Sequence, residues 1–268
     1  MTPISAGIVG FALLIALMFL RIPVAFVMAM VGFVGFGWLV SWPAALSLLA
    51  RDFFSVFSSY NLTVIPLFIL MGQVAHYSGI SGRLFNAAHK FIGHLPGGLA
   101  MATIGACAFF AAICGSTTAT SATMATVALP QMKKFNYDPA LATGVVAAGG
   151  TLGILIPPST IFIIYGIMTE QSVGKLFVAG VLPGILLAAL FALVILVWSR
   201  LQPGLCALAP KASWREKFAS LAGVIETIAL FFIVMGGLFV GLFTPTEAAG
   251  IGALGTYVIA LIGRNLTW

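Results

Sequence analysis

Long apolar blocks, parted by short polar or proline-bearing interruptions, run through the whole chain, and their spacing predicts an all-helical protein. Helices are expected at about 4–20 and 22–40, separated by Arg21-Ile22-Pro23. Residues 41–60 read as a short loop with a weakly amphipathic piece from Arg51 to Phe57, and a third span follows at about 61–76. Residues 79–92 mix Arg83, Asn86, His89 and Lys90 with apolar positions, the pattern of a helix lying along a membrane interface. Then come apolar stretches at 97–132 and 138–169, a span at 176–199, a polar loop at 201–217 carrying Lys211, Arg215 and Lys217, and two last helices at about 218–240 and 245–263. Asp138-Pro139 has the form of an N-cap followed by proline at the first helical position.

Two interruptions are unlike loops. Gly115-Ser116-Thr117-Thr118 splits the stretch 97–132. Gly149-Gly150-Thr151-Leu152-Gly153, followed by Pro157-Pro158-Ser159, splits the stretch 138–169. A bilayer core offers no water to unpaired backbone groups, so broken helices survive there only inside protein or beside a watery cavity. Two hydroxyl-rich breaks close in sequence predict an ion or solute site near the middle of the membrane. Residues 97–132 are long enough for two short crossings or for one hairpin that enters and returns. Two crossings would leave about 16 residues each, short of the roughly 20 that a span needs, so the length favours a re-entrant hairpin.

Composition fixes the class. Hydrophobic residues make up 61% of the 268 and charged residues 7%, with a mean hydropathy of +1.16, whereas soluble domains carry about a quarter charged residues. The net charge of +6 does not point to nucleic acid, because the basic residues stand at segment boundaries rather than in an aromatic-interleaved patch; the lipid bilayer is the expected environment. Placing the N-terminus outside and treating 97–132 as a non-crossing hairpin puts Arg21, Arg83, Lys90, Lys133, Lys134, Arg200, Lys211, Arg215, Lys217 and Arg264 inside, with only Arg51 and Lys175 outside. That is the positive-inside pattern, although two crossings would place the same charges on the same sides. The first apolar run lacks a basic n-region and a small-residue cleavage site, so it reads as a retained helix.

The same map gives five full crossings before the polar loop, and an odd number would bring in a second copy of the unit with opposite orientation. Leu20-Arg21-Ile22-Pro23-Val24-Ala25-Phe26 and Leu242-Phe243-Thr244-Pro245-Thr246-Glu247-Ala248 both start a helix with proline after an apolar span, a weak likeness that coincidence explains equally well. Residues 1–200 are then a first repeat, 201–217 a cytoplasmic loop and 218–268 the first two helices of an incomplete second repeat.

The remaining reactive side chains do not assemble into an enzyme. No P-loop, no Ser/His/Asp set and no paired carboxylates are present. Cys107, Cys114 and Cys206 lack metal-ligand spacing, and Cys107 and Cys114, seven apart on one helix face, read as apolar packing. His76, His89 and His94 are scattered near interface segments and read as solvated imidazoles. Glu247, three residues after Thr244, completes a capping box. Asp52, Glu170 and Glu216 fall in loops, while Glu226 lies inside an apolar run, either as a buried proton or cation site or reaching the interface near Lys217.

A set of ordered motifs resembles the large membrane subunit of TRAP (tripartite ATP-independent periplasmic) transporters. They are Ile65-Pro66-Leu67-Phe68 with Gly72, Ser78-Gly79-Ile80, His94-Leu95-Pro96-Gly97-Gly98-Leu99-Ala100, and Gly115-Ser116 with Thr117, Ala119 and Thr120. Then follow Pro130-Gln131-Met132 with Tyr137-Asp138, Gly153-Ile154-Leu155-Ile156-Pro157-Pro158-Ser159, Gly174-Lys175-Leu176-Phe177-Ala179-Gly180, Pro183-Gly184 and Phe243-Thr244-Pro245-Thr246-Glu247-Ala248-Ala249. The resemblance implies a sodium-driven, elevator-type importer of an organic anion such as a C4-dicarboxylate or a sialic acid, with sodium as coupling ion and no other cofactor. It also implies a bacterial inner-membrane location, a small four-helix membrane subunit and a periplasmic substrate-binding protein. The fold implied is the first half of an inverted-repeat transporter, with a re-entrant hairpin and a proline-broken helix.

Two features depart from the family pattern. The hairpin tip usually reads Gly-Ser-Ser, and here Thr117 replaces the second Ser while keeping a hydroxyl. Family members also usually run well past 400 residues, with a second hairpin and a second broken helix. The expectation is therefore either a separate second-half permease polypeptide, or a truncated, permease-like protein without transport that serves as a structural subunit of an unrelated membrane complex.

Sodium is a hard cation, and the oxygens of hydroxyls and of helix-break carbonyls can hold it without a buried countercharge. Gly115, Ser116, Thr117 and Thr118 at the first break, with Gly149, Gly153, Pro157, Pro158 and Ser159 at the second, are the expected ion and substrate residues. Ser116, Thr117 and Gly153 are the expected sodium ligands. Pro157 and Pro158 lack amide protons and so release carbonyls further back, and the half-helix N-termini suit a substrate carboxylate. The competing explanation is close helix packing by small residues, with Ser and Thr bonding back to their own helix.

Overall fold

The computed structural model describes residues 2–206 and 210–263, and among these every regular element is a helix. The inside placement of Arg264 and the end of the last repeat lie outside the described residues. The chain divides into two units, Met1–Tyr60 and Asn61–Trp268.

The first unit is three consecutive helices, α1 (Pro3–Met18), α2 (Val24–Leu39) and α3 (Trp42–Phe57), with α2 packed on both neighbours. Arg21 adopts a left-handed backbone (φ 61°) that turns the chain, and Pro23 stands at the start of α2. The loop expected over 41–60 is instead mostly helix. The Ser41 hydroxyl accepts from Ala44 N at 3.3 Å, and Pro43 fits the first turn, where no amide is needed. Those capping residues outweigh the polar pair Arg51-Asp52, which simply faces outward. Phe11, Phe19, Phe26, Trp38, Phe54 and Phe57 are all exposed, as side chains that face lipid would be.

The second unit holds the core. α4 (Val64–Tyr77) and α5 (Ile80–Ile92) lead into α6 (Gly98–Cys114), α7 (Thr117–Lys134), α8 (Pro139–Gly150), α9 (Thr160–Met168) and α10 (Val173–Leu201). α11 (Trp214–Ala222), α12 (Ile225–Val240) and α13 (Pro245–Ile262) complete it, with α13 lying along α4. Among the described residues, α10 and α13 are long and apolar enough to cross a membrane by length and composition; α6 and the run Pro139–Ile154 are apolar but shorter. With this pattern of apolar helices the chain is a multi-pass membrane protein.

α6, α7 and α8 form a three-helix layer whose direction follows from its contacts. The chain reverses at Gly115-Ser116 and returns to its entry point, where Leu99 N donates to the Tyr137 hydroxyl at 3.1 Å. Gly149 then lies against Cys107 and Ile104, and Gly150 against Ser121, so α8 runs parallel to α6 and antiparallel to α7. Asp138 caps α8 as expected, accepting from Ala140 N and Leu141 N at 2.9 and 3.0 Å. α6 is buried almost throughout, from Gly98 to Cys114, which puts the first arm of the hairpin inside protein.

Four further expectations are corrected. The helix expected over 218–240 breaks at Gly223-Val224, where α11 and α12 meet at 51°. Glu226 therefore sits exposed in the first turn of α12, and the buried-carboxylate reading fails. Glu216 lies not in a loop but in a capping box: its carboxylate accepts from Ser213 N (2.8 Å) and Ser213 Oγ (3.2 Å). Those hydrogen bonds, with Lys90 beside them, hold its carboxyl below the usual range. The imidazoles are not simply solvated either: His76 Nδ1 lies 2.8 Å from Thr123 Oγ1, and His94 Nδ1 is buried without a hydrogen-bond partner. The capping box at Thr244 and Glu247 is present as expected.

Burial pushes the Tyr137 phenol up to about 12, and its oxygen accepts from Leu99 N, an amide of the first turn of α6 with no helical acceptor. Tyr137→Phe leaves that buried amide unpaired. The expected outcome is a loss of about 1–3 kcal/mol, read as a lowered melting temperature in detergent, with Tyr257→Phe in α13 as a control of little effect.

Candidate ion and substrate site

At the far end of the three-helix layer, four chain ends converge. α6 stops at Cys114, and Gly115 turns the chain with a left-handed backbone (φ 60°). Ser116 is extended (φ −137°, ψ 127°) and caps α7, its hydroxyl accepting from Ala119 N at 3.4 Å and lying 3.1 Å from Thr118 Oγ1. In the second break, α8 ends at Gly150, earlier than the Pro157-Pro158 stop read from sequence. It tightens into a 3-10 turn at Thr151–Ile154 and then passes through a cis Pro157-Pro158 bond. Ser159 caps α9, accepting from Phe162 N at 3.4 Å and donating to the Ile154 carbonyl at 2.6 Å.

The two breaks touch each other. The Gly115 carbonyl accepts from both Thr160 N (3.3 Å) and Thr160 Oγ1 (3.1 Å). A Cβ on Gly115 would run into the Pro158 carbonyl oxygen, and one on Gly153 would lie 2.6 Å from Ser116 O and 2.9 Å from Thr117 N. Backbone thus meets backbone, which only glycine permits at this separation. Several oxygens at the contact have no donor among the described residues, and two of them belong to the residues singled out above. Thr117 Oγ1 is buried without a hydrogen-bond partner. The Gly153 carbonyl, whose helical donor would be the amide that Pro157 lacks, accepts no hydrogen bond among the described residues.

The arrangement has two chemical capacities. The half-helices α7 and α9 both start at this junction, and the amides of their first turns carry partial positive charge suited to an anion. The unpaired hydroxyl and carbonyl oxygens suit a hard cation.

Of the residues expected from sequence, Gly115, Ser116, Thr117, Gly153, Pro158 and Ser159 are brought to this junction, with Pro157 buried beside them and Thr118 exposed next to it. Gly149 is not part of it. It lies one turn back and packs 2.7 Å, measured from a built Cβ, from Cys107 Sγ; Gly150 packs likewise on Ser121. For that pair the close-packing explanation accounts for the glycines. Ser159 is fully buried and has both its accepting and donating capacity engaged within its own break.

Sequence reading missed Thr160, the clamp between the breaks, although its place directly after the cap of a half-helix was a usable signal. Gly72 of α4 and Thr120 stand in the family motifs without being assigned to the site; Gly72 backs onto Cys114 at the tip, and the Thr120 hydroxyl lies 3.1 Å from Cys114 Sγ.

Fold and junction together define a helical membrane protein in which two interrupted helices meet tip to tip. Residues 11–268 match the family described as tripartite ATP-independent periplasmic transporter, DctM component, and the chain belongs to that family. It is 40% identical over 221 residues to the C4-dicarboxylate TRAP transporter large permease protein DctM of Pseudomonas aeruginosa, covering 82% of this chain and 51% of that one. With the protein of the same name from Vibrio cholerae it shares 34% over 251 residues, covering 93% and 54%. With the isethionate TRAP transporter permease protein DctMQ of Oleidesulfovibrio alaskensis it shares 37% over 227 residues, covering 81% and 34%. The chain spans about half the length of the first two relatives.

The backbone contact yields a direct test. Gly115→Ala forces a side chain into the left-handed region, at about 1–3 kcal/mol, besides the collision with Pro158. Gly153→Ala should also lower the melting temperature. Gly144→Ala, on the open face of α8 with nothing within 4 Å of the added Cβ, should leave it unchanged or raise it.

Proposed function

We propose that this chain is the membrane subunit of a sodium-coupled secondary transporter that imports an organic anion. The contact between the two breaks carries the proposal. It sets the unpaired Thr117 hydroxyl and Gly153 carbonyl beside two half-helix N-termini, so one junction offers ligands for a cation and an electropositive seat for a carboxylate. Ser116, Thr117 and Gly153 are the proposed sodium ligands, with Gly115, Thr118, Pro157, Pro158 and Ser159 shaping the seat.

Relatives named for C4-dicarboxylate and isethionate support an anionic substrate, while one named for ectoine widens the range to a zwitterion. The fused name DctMQ supports a small membrane subunit as partner, and the family description supports delivery by a periplasmic binding protein. The distribution of basic residues supports a periplasmic N-terminus at the inner membrane. An elevator motion and an inverted second repeat belong to the same proposal. The structural-subunit reading predicts no sodium binding and is separated by the same experiment.

Sodium is titrated against potassium at constant ionic strength while the melting temperature of the detergent-solubilised chain is followed, since a ligand that binds only the folded state raises stability. A sodium-specific rise is expected. Thr117→Val should raise the apparent Kd about tenfold, the effect of losing one oxygen ligand worth about 1–3 kcal/mol, and Thr117→Ser should restore it. Equal responses to the two cations, or a Thr117→Val variant that binds as the parent does, would reject the site. Sodium-dependent uptake in proteoliposomes that also contain the small subunit, a second-half permease segment and the binding protein tests transport itself.

A further inference from the structure

We propose that the seam between α5 and α11 binds the headgroup of an anionic phospholipid. The two helices lie antiparallel. A Cβ on Gly223 would lie 3.9 Å from Arg83 Cδ, Lys90 Nζ meets Glu216 Oε1 at 3.5 Å, and Lys217 Nζ sits 5.7 Å from the centre of the Phe91 ring. Along this seam stand three cations, Arg83, Lys90 and Lys217, against the carboxylate of Glu216.

That carboxylate is already engaged. One oxygen faces Lys90, and the other accepts from the Ser213 amide and hydroxyl. Arg83 is therefore left without a countercharge: its Nε and Nη2 are buried and have no hydrogen-bond partner among the described residues. Lys217, 8% exposed, has no ion-pair partner among them either, and its ammonium rests on the Trp214 and Phe91 rings, 4.8 Å from the centre of the first. A covered cation is costly unless paired, and a guanidinium fork matches phosphate oxygens in shape and charge.

The outer face of α11 says which phosphate. Trp214, Phe218 and Leu221, spaced i, i+4 and i+7, are all exposed and make an apolar stripe beside the cations. A short helix with that stripe, aromatic at its start and basic on its flank, belongs at the level where headgroups meet acyl chains. The stripe favours a lipid over a free phosphate ion, and the surplus of cations favours an anionic lipid over a zwitterionic one.

The chain, purified in neutral detergent, is offered equal amounts of phosphatidylglycerol and phosphatidylcholine in mixed micelles, with and without excess inorganic phosphate, and retained lipid is counted by native mass spectrometry. Phosphatidylglycerol should be retained in preference and should resist displacement by inorganic phosphate. Arg83→Gln and Lys217→Gln should each weaken retention about fivefold, and Lys175→Gln, outside the seam, should leave it unchanged. Equal retention of the two lipids, displacement by inorganic phosphate, or full retention by folded seam variants would overturn the proposal. A guanidinium that waits instead for a carboxylate of another polypeptide would show no lipid preference. The comparison of lipids uses the unsubstituted chain, so it decides even where a variant fails to fold.

Discussion

Inside a bilayer every backbone amide and carbonyl must find a partner within the protein, and the arrangement of this chain follows from how it meets that demand at two places where helices stop. Each break is answered locally first. Ser116 and Ser159 take up amides of the turns that follow them, and the Ser159 hydroxyl covers the carbonyl exposed by Pro158. What local capping leaves over is answered across the gap, by Thr160 on Gly115. The breaks are thus each other's solvent, and neither would be stable alone at that depth. The oxygens of Thr117 and Gly153 are among those for which the described residues supply no donor.

Small residues make this possible. Gly115 and Gly153 let backbone approach backbone, and Gly149, Gly150 and Gly72 bring α8 and α4 close enough to hold the tip from behind. The glycines therefore divide into two groups by their neighbours. Those whose Cβ would strike a carbonyl or amide of the other break belong to the junction, and those whose Cβ would strike a side chain belong to the packing that supports it.

The helical plan was legible because its signals are local. Apolar blocks, the Asp138-Pro139 start, the Thr244-Glu247 capping box and the two hydroxyl-rich interruptions each announce themselves within a few residues. Errors fell where a local signal was outweighed. Arg51-Asp52 made α3 look like a loop although Ser41 and Pro43 had set up a helix start, and the apolar run past residue 223 hid the bend that exposes Glu226. The family resemblance, carried by ordered motifs along most of the chain, was the most secure sequence reading. Which of the site residues meet was not readable, because Thr160 and Gly115 are 45 residues apart and joined by a contact that no periodicity encodes. Arg83 and Lys217 were read as topology markers, and only the antiparallel fit of α5 on α11 shows that they lack countercharges.

The double acceptance at the Gly115 oxygen has a consequence for valence. With both lone pairs directed at Thr160, that atom has little electron density left for a metal, which leaves the proposed cation to Ser116, Thr117 and Gly153. Under the proposal above, three protein oxygens would fill only part of a cation's coordination sphere. An incoming carboxylate would complete the coordination sphere, and the two charges would then cancel where the surroundings tolerate net charge least.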